Sequence, residues 1–213
     1  MGKFDMLLSP VMVGGHLFKN RIVMTPTTPQ HFQGDEDYPS ENLFAHYLKR
    51  AKNGAAMITL SGLFNFSEDN PMPPEVAGHF KFDIFKGESH YLAQLVEGLH
   101  GYGTYATIQV AHSFPASHDI CAGAAPFGTT MYAEVHVANQ EYTEKMMKEA
   151  TDELVNNCLI LKRLGFDGIF LHMSYQQTPL GRSLSPLINQ RTDKYGGSFE
   201  NRIRFVTETC EAI

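Results

Sequence analysis

Four short apolar runs, each followed by an amphipathic helical pattern, constrain the fold of this chain more than any other feature. The apolar runs cover 22–26, 55–60, 104–111 and 169–171. The helical patterns cover 41–52, 91–100, 143–164 and 199–213. Regular alternation of strand and helix favours a parallel sheet whose strands are joined by right-handed crossovers. The sequence therefore predicts an α/β protein.

The connections between these elements differ in length, because long loops follow the second, third and fourth strands whereas short loops follow the helices. This asymmetry is typical of a TIM barrel, in which function gathers at the carboxyl ends of the strands. Residues 17–22 indicate the end of a short hairpin that leads into the first strand. A closed barrel needs eight βα units and about 250 residues. We therefore predict the N-terminal half of a TIM (β/α)8 barrel, with about four βα units, as one domain over 1–213, and expect the remainder of the barrel to be absent from this chain.

Composition disfavours several classes of partner. The formal net charge of −6 opposes nucleic-acid binding, which needs a basic surface. No apolar stretch approaches the roughly 18–20 residues of a membrane-spanning helix, and the N-terminus lacks the apolar core of a signal peptide, so we expect a cytoplasmic protein. The three cysteines form no CxxC pair, and the ten histidines form no HxxxH pair on a predicted helix. We predict no metal site.

The segment 165–205 is the most distinctive part of the chain: GFDGIFLHMSYQQTPLGRSLSPLINQRTDKYGGSFENRIRF. It predicts a buried strand, a long polar loop and the start of a helix. His172 stands at the end of the strand, where α/β proteins place chemistry. Gly196 and Gly197 allow a sharp turn, and Ser198 is a good N-cap. Long ordered loops are usually functional, and we expect the polar residues of this one to brace each other.

The second half of this segment resembles the signature of the Old Yellow Enzyme family, which comprises FMN-dependent oxidoreductases built on a TIM barrel. The matching residues are Ser185-Pro186, Asn189, Arg191-Thr192-Asp193, Tyr195-Gly196-Gly197-Ser198 and Glu200-Asn201-Arg202. The resemblance covers nearly the whole chain but only the first half of the family's barrel. It implies FMN as cofactor, NAD(P)H as reductant and a carbonyl-conjugated C=C bond as substrate, with hydride passing through flavin N5.

The resemblance also implies which residues hold the flavin. Pro26 and Thr27 would contact FMN through backbone atoms, and the side chain of Thr28 would face a flavin carbonyl. Ser61 falls where the family has a small residue beside the ring. Gln109 would bind the pyrimidine edge, since an amide both donates and accepts hydrogen bonds. Judged without the resemblance, Thr27 and Thr28 could cap the strand end and Gln109 could be a buried amide with internal partners.

The family binds the substrate carbonyl with a histidine and with a second histidine or asparagine three residues later, and many members protonate the substrate from a tyrosine two residues further on. Here His172 keeps the first position, whereas Tyr175 and Gln177 occupy the others. Gln177 has no acidic proton and cannot be the general acid. Tyr175 could bind the carbonyl or take the acid role, and solvent could also supply the proton. Judged alone, His172 could be a structural histidine.

Other parts of the family's site are implied to lie beyond this chain. The flavin phosphate is held by loops after strands seven and eight, and a basic residue of the fifth strand faces the ring. We therefore expect the isolated chain to bind FMN weakly or not at all and to be inactive. Two alternatives within the family are an amine dehydrogenase and a dienoyl-CoA or steroid-type reductase, where an iron–sulfur cluster would require a longer chain. A third alternative is a non-catalytic half-barrel that self-associates into a homo-oligomer.

Overall fold

The computed structural model describes residues 2–27, 41–63, 89–112, 118–121, 140–173 and 178–213. The helices are α1 Asp5–Leu8, α2 Glu41–Lys52, α3 Ser89–His100, α4 Glu144–Arg163, α5 Pro179–Leu184 and α6 Phe199–Ala212. The strands are β1 Val11–Val13, β2 His16–Phe18, β3 Val23–Met24, β4 Met57–Leu63, β5 Tyr105–Val110, β6 His118–Asp119, β7 Gln140–Glu141 and β8 Gly168–Leu171.

Within the described residues, one sheet has four strands in the order β3-β4-β5-β8, which is their order along the chain. Strand β3 pairs with β4 in parallel, with Val23 opposite Met57. Between β4 and β5, the hydroxyl oxygens of Thr59 and Thr107 lie 2.7 Å apart. The predicted α/β alternation with a parallel sheet is therefore confirmed.

Strands β5 and β8 also run in the same direction. The N–H of Asp167 donates to the carbonyl of Ala106 at 2.9 Å, and the N–H of His172 donates to the carbonyl of Val110 at 2.8 Å. Donor and acceptor positions rise together along the two strands, as they do in a parallel pair.

The contacts divide the chain into two compact units. Among the described residues, unit 1 contains 2–27, 41–63, 89–109 and 160–170. Unit 2 contains 110–112, 118–121, 140–159, 171–173 and 178–213. The four-stranded sheet therefore lies in unit 1, except for Val110 and Leu171 at the ends of β5 and β8.

The core of unit 1 follows from helical and strand periodicity. Helix α2 buries Leu43, Tyr47 and Ala51, which are spaced four residues apart and form one face. Helix α3 contacts α2 and buries an apolar stripe of its own, namely Leu92, Leu95, Val96 and Leu99. Burial of each such leucine stabilises the fold by roughly 1.5–3 kcal/mol.

In unit 2, helices α5 and α6 contact each other. Their shared core includes Leu180, Tyr195 and Phe205. Ser198 caps α6, because its side chain accepts a hydrogen bond from the N–H of Asn201. The predicted N-cap is therefore confirmed.

Three sequence predictions were wrong in detail. The first barrel strand ends at Met24 rather than at 26, because Pro26 has no N–H to donate to a neighbouring strand. The hairpin of β1 and β2 ends at Phe18, earlier than the predicted 17–22. The polar loop contains helix α5, which begins with Thr178 as N-cap and Pro179 in the first turn.

Substitution of the two loop glycines tests how tightly the segment before α6 is packed. A Cβ on Gly196 would lie 2.0 Å from the carbonyl oxygen of Arg191, whereas a Cβ on Gly197 would meet nothing within 4 Å. Gly196→Ala should lower the free energy of unfolding by about 3 kcal/mol or more. Gly197→Ala, which places alanine at a φ of +81°, should lower it by about 1–2 kcal/mol. Urea unfolding measures both, and equal losses would contradict this packing.

Candidate functional site

The candidate flavin residues of unit 1 lie at the carboxyl ends of three neighbouring parallel strands. Pro26 and Thr27 follow the end of β3, Ser61 lies in the last part of β4, and Gln109 is the penultimate residue of β5. Ligands of α/β proteins bind beyond this edge of the sheet. The fold therefore brings these four residues to the side of the sheet where a cofactor can bind.

Gln109 is the most informative of them. Burial alternates along β5, so that Tyr105, Thr107 and Gln109 share the half-buried face while the residues between them are buried. The Gln109 carboxamide makes no hydrogen bond to another residue in the described part of the chain. Its donor and its acceptor are both available, which suits a cofactor edge with alternating N–H and C=O groups.

The residues after β3 offer mainly backbone groups. Thr27 is exposed, and its hydroxyl donates to the carbonyl of Thr25 at 3.3 Å. Pro26 is half-buried and has no N–H. This arrangement fits a contact through backbone atoms. Four predicted site groups lie outside the described part of the chain, and their predictions stay untested: Thr28, Tyr175, Gln177 and the side chain of Ser61.

His172 belongs to unit 2 and directly follows the end of β8. It is only 8% exposed, and its backbone N–H is fixed by the carbonyl of Val110. Burial lowers the pKa of the His172 imidazole. The ring is therefore neutral near pH 7, with one nitrogen that donates a hydrogen bond and one that accepts.

A second buried histidine of unit 2, His112, links three elements. Its Nε2 lies 3.3 Å from the hydroxyl of Thr151 on α4 and 3.4 Å from that of Thr209 on α6. Its ring packs against Phe205 with centroids 5.1 Å apart. Burial lowers the pKa of His112 to about 4. The sequence assigned this residue no role, because these links appear only once the helices are packed.

The polar loop before α6 is organised by the guanidinium of Arg191. Its Nη1 donates to the carbonyls of Ile120 at 3.1 Å and Tyr142 at 2.7 Å. Its Nε and Nη2 donate to the two carboxylate oxygens of Asp193. These bonds hold the pKa of Asp193 below its usual value. Because a buried charge needs such partners, Arg191 fixes the loop to both chain segments that it contacts.

Asn189 completes this network. Its Nδ2 donates to the carbonyls of Ser183 at 2.7 Å and Tyr195 at 2.8 Å. Its Oδ1 accepts from the N–H of Arg191 at 3.1 Å. The expectation that the polar residues of this segment brace each other is therefore confirmed for Asn189, Arg191 and Asp193.

Within the described residues, no group of three or more His, Cys, Asp or Glu side chains is placed to hold a metal ion. None of the helices in the same ranges is both long enough and apolar enough to cross a membrane.

Comparison with known sequences gives a family and several relatives. The sequence profile of the family described as NADH:flavin oxidoreductase / NADH oxidase matches residues 6–213. The chain is 31% identical over 216 residues to an NADH oxidase of Thermoanaerobacter brockii, covering 100% of this chain and 32% of that protein. It is 31% identical to an NADPH dehydrogenase of Bacillus pumilus, covering 97% of this chain and 59% of that protein. The chain thus spans between a third and three fifths of these relatives.

Solved structures show the same fold. An Old Yellow Enzyme from Pichia sp. aligns with a TM-score of 0.74 at 22% identity, covering 97% of this chain and 55% of that one. A histamine dehydrogenase from Rhizobium sp. aligns with a TM-score of 0.75 at 24% identity, covering 99% of this chain and 30% of that one. Both are TIM-barrel enzymes, so the predicted half-barrel architecture is confirmed.

The neutral state of His112 makes stability depend on pH. Its pKa is about 4 in the folded chain against an ordinary 6.5, so the unfolded chain takes up the proton first as the pH falls. Stability should therefore decrease between about pH 6.5 and pH 4, by about 3 kcal/mol for this group. Urea unfolding across this range, compared with His112→Gln, isolates the effect. Parallel losses in both proteins would contradict it.

Proposed function

We propose that this chain supplies the first four strands of an FMN-dependent enzyme that reduces carbonyl-conjugated C=C bonds with NAD(P)H. The basis is its family, since the chain belongs to the NADH:flavin oxidoreductase / NADH oxidase family. The proposed partner is therefore a small enone-type molecule rather than a nucleic acid or a membrane. The observation that carries the proposal is the neutral, buried imidazole of His172 directly after a parallel strand.

The residues of unit 1 fit the flavin ring. Gln109 offers a donor and an acceptor from the half-buried face of β5, and Pro26 and Thr27 offer backbone atoms beyond β3. Ser61 is small enough to leave room for a ring. When bound, FMN would take hydride from NAD(P)H and deliver it to the substrate β-carbon.

His172 has the chemistry to activate the substrate. A neutral imidazole keeps one N–H, which can donate a hydrogen bond to a carbonyl oxygen. Such a donor stabilises the negative charge that develops on that oxygen as the alkene is reduced. Tyr175 is our candidate for one of two roles. It is either the second donor to the carbonyl or, since of Tyr175 and Gln177 only its phenol has an acidic proton, the group that protonates the α-carbon; in the first case solvent supplies that proton.

A second candidate function is amine oxidation. It is favoured by the likeness of the fold to a protein named histamine dehydrogenase, which aligns as well as the Old Yellow Enzyme does. The two functions differ in which substrate reduces the flavin. An amine dehydrogenase takes electrons from the amine, whereas an ene-reductase takes them from NAD(P)H and gives them to the alkene.

An anaerobic experiment separates these functions when this chain is completed to a full barrel by the C-terminal part of the Bacillus pumilus NADPH dehydrogenase and saturated with FMN. NADPH should bleach the flavin absorbance, and 2-cyclohexenone should restore it. His172→Ala should slow this restoration by about 100-fold or more, since it removes a donor from the developing oxyanion. His16→Ala, which removes an exposed histidine of unit 1, is the matched control.

Two outcomes would count against the proposal. Bleaching of the flavin by histamine without NADPH would favour the amine dehydrogenase. Equal rates of restoration in the completed barrel with and without His172→Ala would remove His172 from the reaction. Desalting of the FMN-saturated chain tests the further expectation of weak binding, which a stoichiometric, retained yellow flavin would contradict.

A further inference from the structure

Helix α5 packs directly on the backbone of the residue after His172. A Cβ on Gly181, in the middle of α5, would lie 2.6 Å from the carbonyl oxygen of Met173 and 3.2 Å from its carbonyl carbon. Outside their own residue and its chain neighbours, real Cβ atoms essentially never have another heavy atom within 3.0 Å. Glycine is therefore the residue type that lets these two backbones approach so closely.

The start of the same helix is fixed by its own N-cap. Thr178 caps α5 and accepts a hydrogen bond from the N–H of Gly181 at 3.3 Å. On the other side of the contact with Met173, the N–H of His172 is bound to the carbonyl of Val110.

The far end of α5 is held by the signature residues of the loop. Asn189 donates to the carbonyl of Ser183 at 2.7 Å, and Arg202 donates through Nε to the carbonyl of Leu184 at 3.2 Å. Residues 179–183 of α5 are buried. Because buried hydrogen bonds resist displacement, α5 is the firmer of the two surfaces that meet at Gly181.

We propose that Gly181 is a positioning residue for His172. The missing side chain lets the braced helix α5 pack against Met173, and this contact sets the position of the neighbouring His172. The catalytic meaning of this contact rests on the proposed function, in which His172 binds the substrate carbonyl. The contact itself does not depend on flavin or substrate.

The consequence of adding a methyl group follows from this geometry. In Gly181→Ala either α5 or Met173 must move, and the bonds of Asn189 and Arg202 oppose movement of α5. The displacement therefore falls on Met173 and on the neighbouring His172. Displacements of about 1 Å at a reacting group can slow catalysis by about 100-fold, so the effect on the proposed reaction would be large.

The test follows the imidazole signals of the whole 213-residue chain by NMR during a pH titration. In Gly181→Ala the pKa of His172 should rise toward its ordinary value, because displacement admits water to the ring. The pKa of His112, buried elsewhere in unit 2, should stay near 4. The matched control is Gly101→Ala, in which the nearest contact of the new Cβ is an ordinary 3.4 Å, and both pKa values should remain unchanged.

Two results would overturn the proposal. One is an unchanged His172 titration in folded Gly181→Ala. The other is a change in the pKa values of both His172 and His112, which would show general loosening of the fold instead of local positioning. If Gly181→Ala does not fold, Thr178→Val takes its place, since it weakens the start of α5 without a clash. It should raise the pKa of His172 by a smaller amount than Gly181→Ala would. An unchanged pKa would equally overturn the proposal.

The enone reaction separates failure of this proposal from failure of the proposed function. If Gly181→Ala shifts His172 and slows enone reduction, both stand. If Gly181→Ala raises the pKa of His172 but neither the wild-type protein nor the variant reduces the enone, the positioning proposal stands and the proposed function fails. If the completed barrel reduces the enone and Gly181→Ala changes neither that rate nor the His172 titration, the positioning proposal fails alone.

Discussion

The parallel pairing of β3, β4, β5 and β8 in chain order is the constraint on which the candidate site depends. Parallel neighbours need a long crossover between them, and the amphipathic helices of this chain supply it. Parallel strands also end at the same edge of their sheet, so residues far apart in sequence meet there. Gln109 and the residues after Met24 gain functional meaning only from this arrangement.

The residues that identify the family and the residues that would carry its chemistry do different physical work. Asn189, Arg191 and Asp193 are occupied with each other and with backbone carbonyls, which leaves them little capacity to bind a substrate. Their bonds hold the polar loop and, through Ser183, helix α5. In the proposed function the chemistry falls instead to His172 and Tyr175. The signature residues thus hold helix α5, which packs against Met173 beside His172.

The sequence predicted the elements that periodicity and caps define. Helix α2 has the predicted bounds, and α4 differs from them by one residue at each end, because apolar stripes and terminal glycines mark them clearly. Helix α5 was missed since six residues are too few to show a helical period. Strand β3 was predicted too long because Pro26 was counted within the apolar run.

The site was predictable only in part, for a similar reason. The position of Gln109 near the end of a strand follows from its place in an apolar run, and that of His172 follows likewise. The contact between Gly181 and Met173 depends on how two segments pack, and the links of His112 depend on how α4 and α6 meet. No local pattern specifies such contacts, so the positioning of His172 could not be read from its neighbours in the chain.

The central claim is that the ends of these parallel strands form the edge that binds flavin. Titration of FMN into the purified chain, followed by quenching of flavin fluorescence, tests it most directly. Gln109→Leu should weaken binding by about tenfold, because it removes hydrogen bonds worth about 1–2 kcal/mol. Gln94→Leu, on the exposed side of α3, should bind as the wild-type chain does. The same dissociation constant for all three proteins would contradict the claim.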